Sequence, residues 1–164
     1  MGGSVKAQPE VADGTIMEHD EPLDSMPMGG CHRLLLIDDR DSDVVAFHRA
    51  VRDRRLPVAL HQARNATEAL AMLQLESGRS DDLLILLNLD LLDGGAEKFL
   101  MDLRGHEQFA ECIVVGYTAE LPPAGEQVAM TYGLVSCLYP TVEGEQRSTA
   151  ILIQFVDSFL QIRV

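Results

Sequence analysis

The chain has 164 residues, 46% of them apolar and only 5% aromatic, and a formal net charge of −13. That length allows one domain with a tail, and the apolar share is ample for a single core of Leu, Val, Ile, Ala and Met. The acidic balance argues against nucleic acid and anionic membrane surfaces, which need clustered Lys and Arg, and no apolar run nears the ~18 residues of a membrane span.

The first residues show no basic-then-apolar leader, and Lys6 stands where a myristoylation pattern needs Ser or Thr. A cytoplasmic protein is expected. Cys31, Cys112 and Cys137 are odd in number and lack metal-type spacing, so they read as reduced thiols. Residues 1–30 set Lys6 against Glu10, Asp13, Glu18, Asp20, Glu21 and Asp24, with Pro9, Pro22 and Pro27 and no apolar periodicity. Such a segment buries too little to offset its ordering entropy, and a disordered tail is predicted there. Ile16, Met17, Met26 and Met28 leave room for a short docking motif in it.

From residue 31 onward, strand and helix patterns alternate. The first strand is predicted over 33–38, followed by a helix over about 42–54 with Val44, Phe47, His48 and Val51 at helical spacing. A strand over 58–63 leads to a helix over about 66–75, started by Asn65 with Glu68 three residues on. A strand over 83–88 is followed by Gly94-Gly95 and a helix over about 96–103. A strand over 113–117, a short helix over about 125–132 ended by Gly133, a strand over 135–138 and a helix over about 146–162 complete the series. The runs RLLLID and LLILLN are continuously apolar, which marks strands covered on both faces and hence a parallel sheet between helix layers. The expected fold is a doubly wound α/β domain with a five-stranded parallel sheet, whose function sits at the carboxyl ends of its strands. Those ends are Asp38 and Asp39, Asn88, Thr118 and Tyr139.

Over residues 33–162 this order of motifs resembles the receiver domain of two-component response regulators. It is most similar to the single-domain regulators that partner bacterial and cyanobacterial phytochromes. The residues that carry the resemblance are LLLIDDRDSDVV at the first strand, NATEAL at the second helix, Thr118-Ala119-Glu120 after the fourth strand, and Pro140. The resemblance implies a (βα)5, flavodoxin-like fold. It also implies an Asp at the end of the third strand that takes a phosphoryl group from a kinase histidine. Mg²⁺ held by an acid pair, a hydroxyl after the fourth strand and a Lys after the fifth would complete such a site. Asp38 and Asp39 match the acid pair, and Thr118 matches the hydroxyl.

The departures decide the expected function. Asn88 occupies the phosphoacceptor position, Tyr139 the Lys position and Ser136 the position of the switching aromatic. Leu92 replaces the usual Pro in the loop after the third strand, which is one or two residues short. An amide is a poor nucleophile, so we expect a stand-alone pseudo-receiver that acts through protein–protein contacts and is no enzyme. No cofactor is expected to be required. The vestigial pocket of Asp38, Asp39 and Asp90 leaves weak Mg²⁺ binding open. One alternative is a phosphorylatable single-domain regulator using Asp90 as a displaced acceptor. Another is a small metal-dependent hydrolase or phosphatase built on the same three carboxylates, although no nucleophile elbow or phosphate loop accompanies them.

His48 and His61 read as structural, and His106 as solvent-exposed. Arg49, Arg52, Arg54 and Arg55 form either a solvated helix end or the kinase-docking surface that the resemblance implies. In the last helix the polar residues Gln154, Asp157, Ser158 and Gln161 form one narrow stripe. The apolar arc exceeds the ~100° needed to cover a sheet. A homodimer is therefore expected through the 125–132 helix, the fifth strand and the last helix, with Ile151, Phe155 and Phe159 as interface candidates. The competing account is that residues 1–30 cover that face.

Overall fold

In a computed structural model, residues 32–75, 82–119, 127, 130–138 and 148–162 are described. The predicted tail, Cys31, Tyr139, Pro140 and most of the 125–132 segment lie outside them, though residues 130–132 are helical as expected.

Five parallel strands form one sheet: β1 (His32–Ile37), β2 (Val58–Ala63), β3 (Leu83–Asn88), β4 (Ile113–Tyr117) and β5 (Ser136–Leu138). Their order is β2-β1-β3-β4-β5. Around the sheet lie α1 (Asp41–Asp53), α2 (Ala66–Gln74), α3 (Gly95–Gly105) and a C-terminal helix (Ser148–Ile162). This is the doubly wound architecture that the alternating patterns predict and the flavodoxin-like fold that the resemblance implies. The strand order reverses between β1 and β3, and open sheets of this kind bind ligands in the crevice at that switch point. Asp38 follows β1 directly and Asn88 ends β3, so the two flank it.

The continuous apolar runs are buried on both faces of the sheet. Leu35, Ile37, Ile85 and Leu87 face one core with Ala69 and Leu73 of α2 and Phe99, Leu100 and Leu103 of α3. Leu34, Leu36, Leu84 and Leu86 face a second core with Val44, Phe47 and Val51 of α1 and Leu152, Ile153, Val156 and Leu160 of the C-terminal helix. Alternate residues of one strand point to opposite faces, so such a run loads both cores at once.

Local chemistry sets the helix starts. The Asn65 side chain accepts from the Glu68 backbone N at 2.8 Å, as the capping pattern predicts. Glu68 Oε2 reaches back to the Arg64 N at 2.8 Å, one residue before the cap. Gly94 precedes α3 with φ +67°, a conformation that costs glycine little. Cys112 is buried and Cys137 half-buried, and neither is in a disulfide. The arginines at 49, 52, 54 and 55 are exposed at the end of α1.

The apolar arc of the C-terminal helix is partly accounted for by α1, which packs beside it. Phe155 and Phe159 stack with ring centroids 6.2 Å apart. Both pack at the margin of the second core. Ile151 is half-buried and Ile162 is 83% exposed.

Candidate functional site

Asp38, Asn88 and Thr118 are the buried polar residues among those described, and all three lie at the carboxyl edge of the sheet. Buried polar groups need partners, and these residues have them. Asn88 is fully buried; its Nδ2 donates to Asp38 Oδ1 at 3.0 Å, and its Oδ1 accepts from the Asp90 backbone N at 2.9 Å. An amide is needed for both bonds at once, since a carboxylate has no proton to donate. The neutral residue at position 88 is therefore integral to the packing of this edge.

Asp38 is the hub. Besides Asn88, its Oδ1 accepts from the Arg40 backbone N at 2.9 Å, and its Oδ2 accepts from the Tyr117 hydroxyl at 2.6 Å. The Arg40 guanidinium adds charge, with Nε 3.5 Å from Asp38 Oδ1 and 3.0 Å from Asp43 Oδ2. Burial and then the negative charge of Asp38 drive the Tyr117 phenol far above its ordinary 10.0, so it stays a proton donor. For Arg40, burial by itself would loosen the proton. Asp38, Asp43 and Tyr117 outweigh that, and the net direction is upward.

The other two carboxylates serve different ends. Asp39 Oδ2 accepts from the Leu92 backbone N at 3.2 Å and ties down the short turn after β3. Asp90 lies beyond the strand and is exposed, yet both of its oxygens are engaged. Oδ1 accepts from the Thr118 hydroxyl at 2.7 Å and Oδ2 from the Ala119 backbone N at 2.8 Å. Among the described residues, no three His, Cys, Asp or Glu side chains gather so as to hold a metal ion. Asp38, Asp39 and Asp90 share an edge but do not form one metal cluster.

Of the remaining candidates, Ser136 is half-buried in β5 beside Val115, and Tyr139 lies outside the described residues. His48 bonds Gln62 Oε1 at 3.0 Å across the gap from α1 to β2, in keeping with a structural role. His106 is exposed and meets Phe109 edge-on.

Sequence reasoning missed three residues. Tyr117 reads as one more apolar strand residue, yet a buried Tyr seeks a partner for its hydroxyl, and its place at a strand end was the available signal. Arg40 stands among four acids, Asp38, Asp39, Asp41 and Asp43, which was a hint of pairing. Arg104 gave no signal. From α3 it donates to the carbonyls of Tyr132, Ala110, Cys112 and Gly133, at 3.1, 2.6, 3.1 and 3.2 Å. It thereby clamps the approach to β4 to the segment before β5.

No family model matches the chain, and no curated protein matches it by sequence. Solved structures match by fold. The phosphorylated cyanobacterial phytochrome response regulator RcpA shares 17% identity at a TM-score of 0.62, covering 80% of this chain and 93% of that one. The Mn²⁺-bound form of response regulator Rcp1 shares 19% at a TM-score of 0.64, covering 81% and 96%. A two-component response regulator from Legionella pneumophila shares 18% at a TM-score of 0.64, covering 80% and 98%. The chain therefore has the receiver fold of two-component response regulators.

Proposed function

We propose that this protein is a stand-alone pseudo-receiver of bacterial signal transduction, cytoplasmic, working through protein–protein contacts without phosphorylation of residue 88. The observation that carries the reading is the Asn88 amide, buried and committed as donor to Asp38 and acceptor from the Asp90 backbone. An amide cannot attack a phosphohistidine as a carboxylate does. Its replacement by Asp would set two carboxylates against each other in a site closed to solvent.

Asp90 supports the same reading. Its carboxylate lies on the Thr118 hydroxyl and the Ala119 N–H, the two donors that an incoming anion at this edge would need. The site is thus supplied with an anion from its own chain, and Thr118 and Ala119 are held to it without a modification. Partners in this proposal are a second copy of the chain, along the fifth strand and C-terminal helix, and a sensor kinase of the phytochrome type. The neighbour RcpA, a cyanobacterial phytochrome response regulator, motivates the kinase class.

A second reading, in which Asp90 is itself phosphorylated, has its exposure in its favour. Against it, both Asp90 oxygens already accept hydrogen bonds, from the Thr118 hydroxyl and the Ala119 N–H, which makes them weaker nucleophiles. Incubation of the full chain with acetyl phosphate and Mg²⁺, read by intact mass, decides between them. The expected result is an unchanged mass. A stable mass increment that disappears in Asp90→Ala overturns the pseudo-receiver reading.

A further inference from the structure

The receiver fold implies a divalent cation beside the acid pair, and a Mn²⁺-bound neighbour shares that fold. The residues present do not fit one. A hard cation needs several oxygen ligands with free lone pairs turned toward it. Asp38 Oδ1 already accepts two hydrogen bonds and Oδ2 a short one. Asn88 turns its N–H toward Asp38, while its oxygen is bonded to the Asp90 backbone. Asp39 is bonded to the Leu92 N–H.

What stands against Asp38 instead is Arg40, and its placement calls for a reason. Arg40 is the residue that precedes α1, and it makes no side-chain capping bond there. A cation at a helix N-terminus is disfavoured by the helix dipole. The side chain as a whole is 41% exposed, yet Nε and Nη2 are turned inward and shut off from solvent, and neither makes an aligned hydrogen bond. Its contribution is therefore charge. It sits between Asp38, 2% exposed, and Asp43 of the first helical turn. A buried carboxylate needs a compensating charge, and guanidinium keeps its proton at every working pH.

We propose that Arg40 is the resident cation of this pocket: its guanidinium supplies to Asp38 the positive charge that a divalent metal would otherwise bring, and makes the pocket metal-independent. This goes beyond the functional reading, since a protein could lack phosphorylation and still hold a metal. The test uses the full chain, with Mn²⁺ as the probe, read by thermal unfolding and by water-proton relaxation. The wild type and Arg40→Lys, which keeps the charge, should melt at the same temperature with Mn²⁺ or with chelator. Arg40→Met, which keeps the stem and loses the charge, should melt lower and recover on adding Mn²⁺. Its Mn²⁺ affinity should exceed that of the wild type by about tenfold or more, as hard cations are held by net charge.

The proposal is overturned if Arg40→Met matches the wild type in both melting and Mn²⁺ response. It is also overturned if Mn²⁺ stabilises the wild type and Asp38→Asn abolishes the effect. That second measurement decides the matter even should Arg40→Met not fold. A wild type that binds Mn²⁺ but takes no phosphoryl group defeats this inference alone, whereas one that is phosphorylated without a Mn²⁺ response defeats only the functional reading.

Discussion

Tyr117 donates its hydroxyl proton to Asp38 across 2.6 Å, joining the carboxyl ends of β4 and β1 past the intervening β3. Asn88, at the end of that middle strand, reaches the same carboxylate. The edge is thus held by a single buried acceptor at the end of β1, with donors from the ends of β3 and β4 and from Arg40. Removing one donor leaves part of Asp38 unsatisfied. We expect Tyr117→Phe to lower stability by about 1–3 kcal/mol, as for a buried acceptor that loses its partner. Denaturant unfolding at neutral pH checks this.

The same bond has a signature in alkali. The folded pKa of Tyr117 is raised above its unfolded value, so its contribution is fully present below pH 10.0 and is lost as pH rises toward the folded value. Between pH 10.0 and that raised value the wild type should lose about 1.4 kcal/mol per pH unit from this residue. Tyr117→Phe should lack that component. Equal alkaline slopes for the two proteins would refute the assignment.

Asn88→Asp should be destabilising at neutral pH, because the introduced carboxylate loses the bond to Asp38 and faces it as a like charge. The pair takes up a proton more readily than either acid does in the unfolded chain. The deficit relative to wild type should therefore shrink as pH falls toward 5 and grow as it rises. Mg²⁺ should narrow the deficit at pH 7, while acetyl phosphate leaves the mass unchanged. Thermal melts across pH, with and without Mg²⁺, and intact mass test this.

Gly116 is where β4 allows the loop residues to close in. A Cβ there would lie 2.7 Å from Leu134 Cδ2 and 2.9 Å from Leu89 Cδ1. Gly116→Ala must push the Cδ ends of two half-buried leucines aside, a cost of about 1 kcal/mol, the low end for overpacking. A double variant with Leu134→Ala should recover part of it. Additive losses in a double-mutant cycle would argue against the contact.

The C-terminal helix, where Phe155 and Phe159 are only partly buried at the second core, motivates a prediction of self-association. The full chain should sediment as a dimer at micromolar concentration, and Phe159→Glu as a folded monomer. If the full chain is monomeric and a variant lacking residues 1–30 associates or precipitates, the N-terminal segment is the cover and the dimer is wrong.

Much of this protein was written locally in its sequence. The doubly apolar runs 34–37 and 83–87 dictate a parallel sheet covered on both faces, because only such a strand buries every side chain. Asn65 and Glu68 mark the start of α2 through short-range backbone chemistry. Asp38, Asn88 and Thr118 could be placed at one edge because parallel strands all end on the same side. Tertiary structure alone decided which donors meet which acceptors. Tyr117 and Asp38 are 79 residues apart, and Thr118 and Asp90 are 28 apart. Such pairs depend on strand order and register, which no local pattern encodes. Asp90, grouped with Asp38 and Asp39 by sequence, is instead drawn to Thr118, because the turn after β3 directs its carboxylate toward β4 and away from β1. Arg104 looks like a surface cation in the sequence; the carbonyls of Ala110, Cys112, Tyr132 and Gly133, brought together from two separate segments, give it its role.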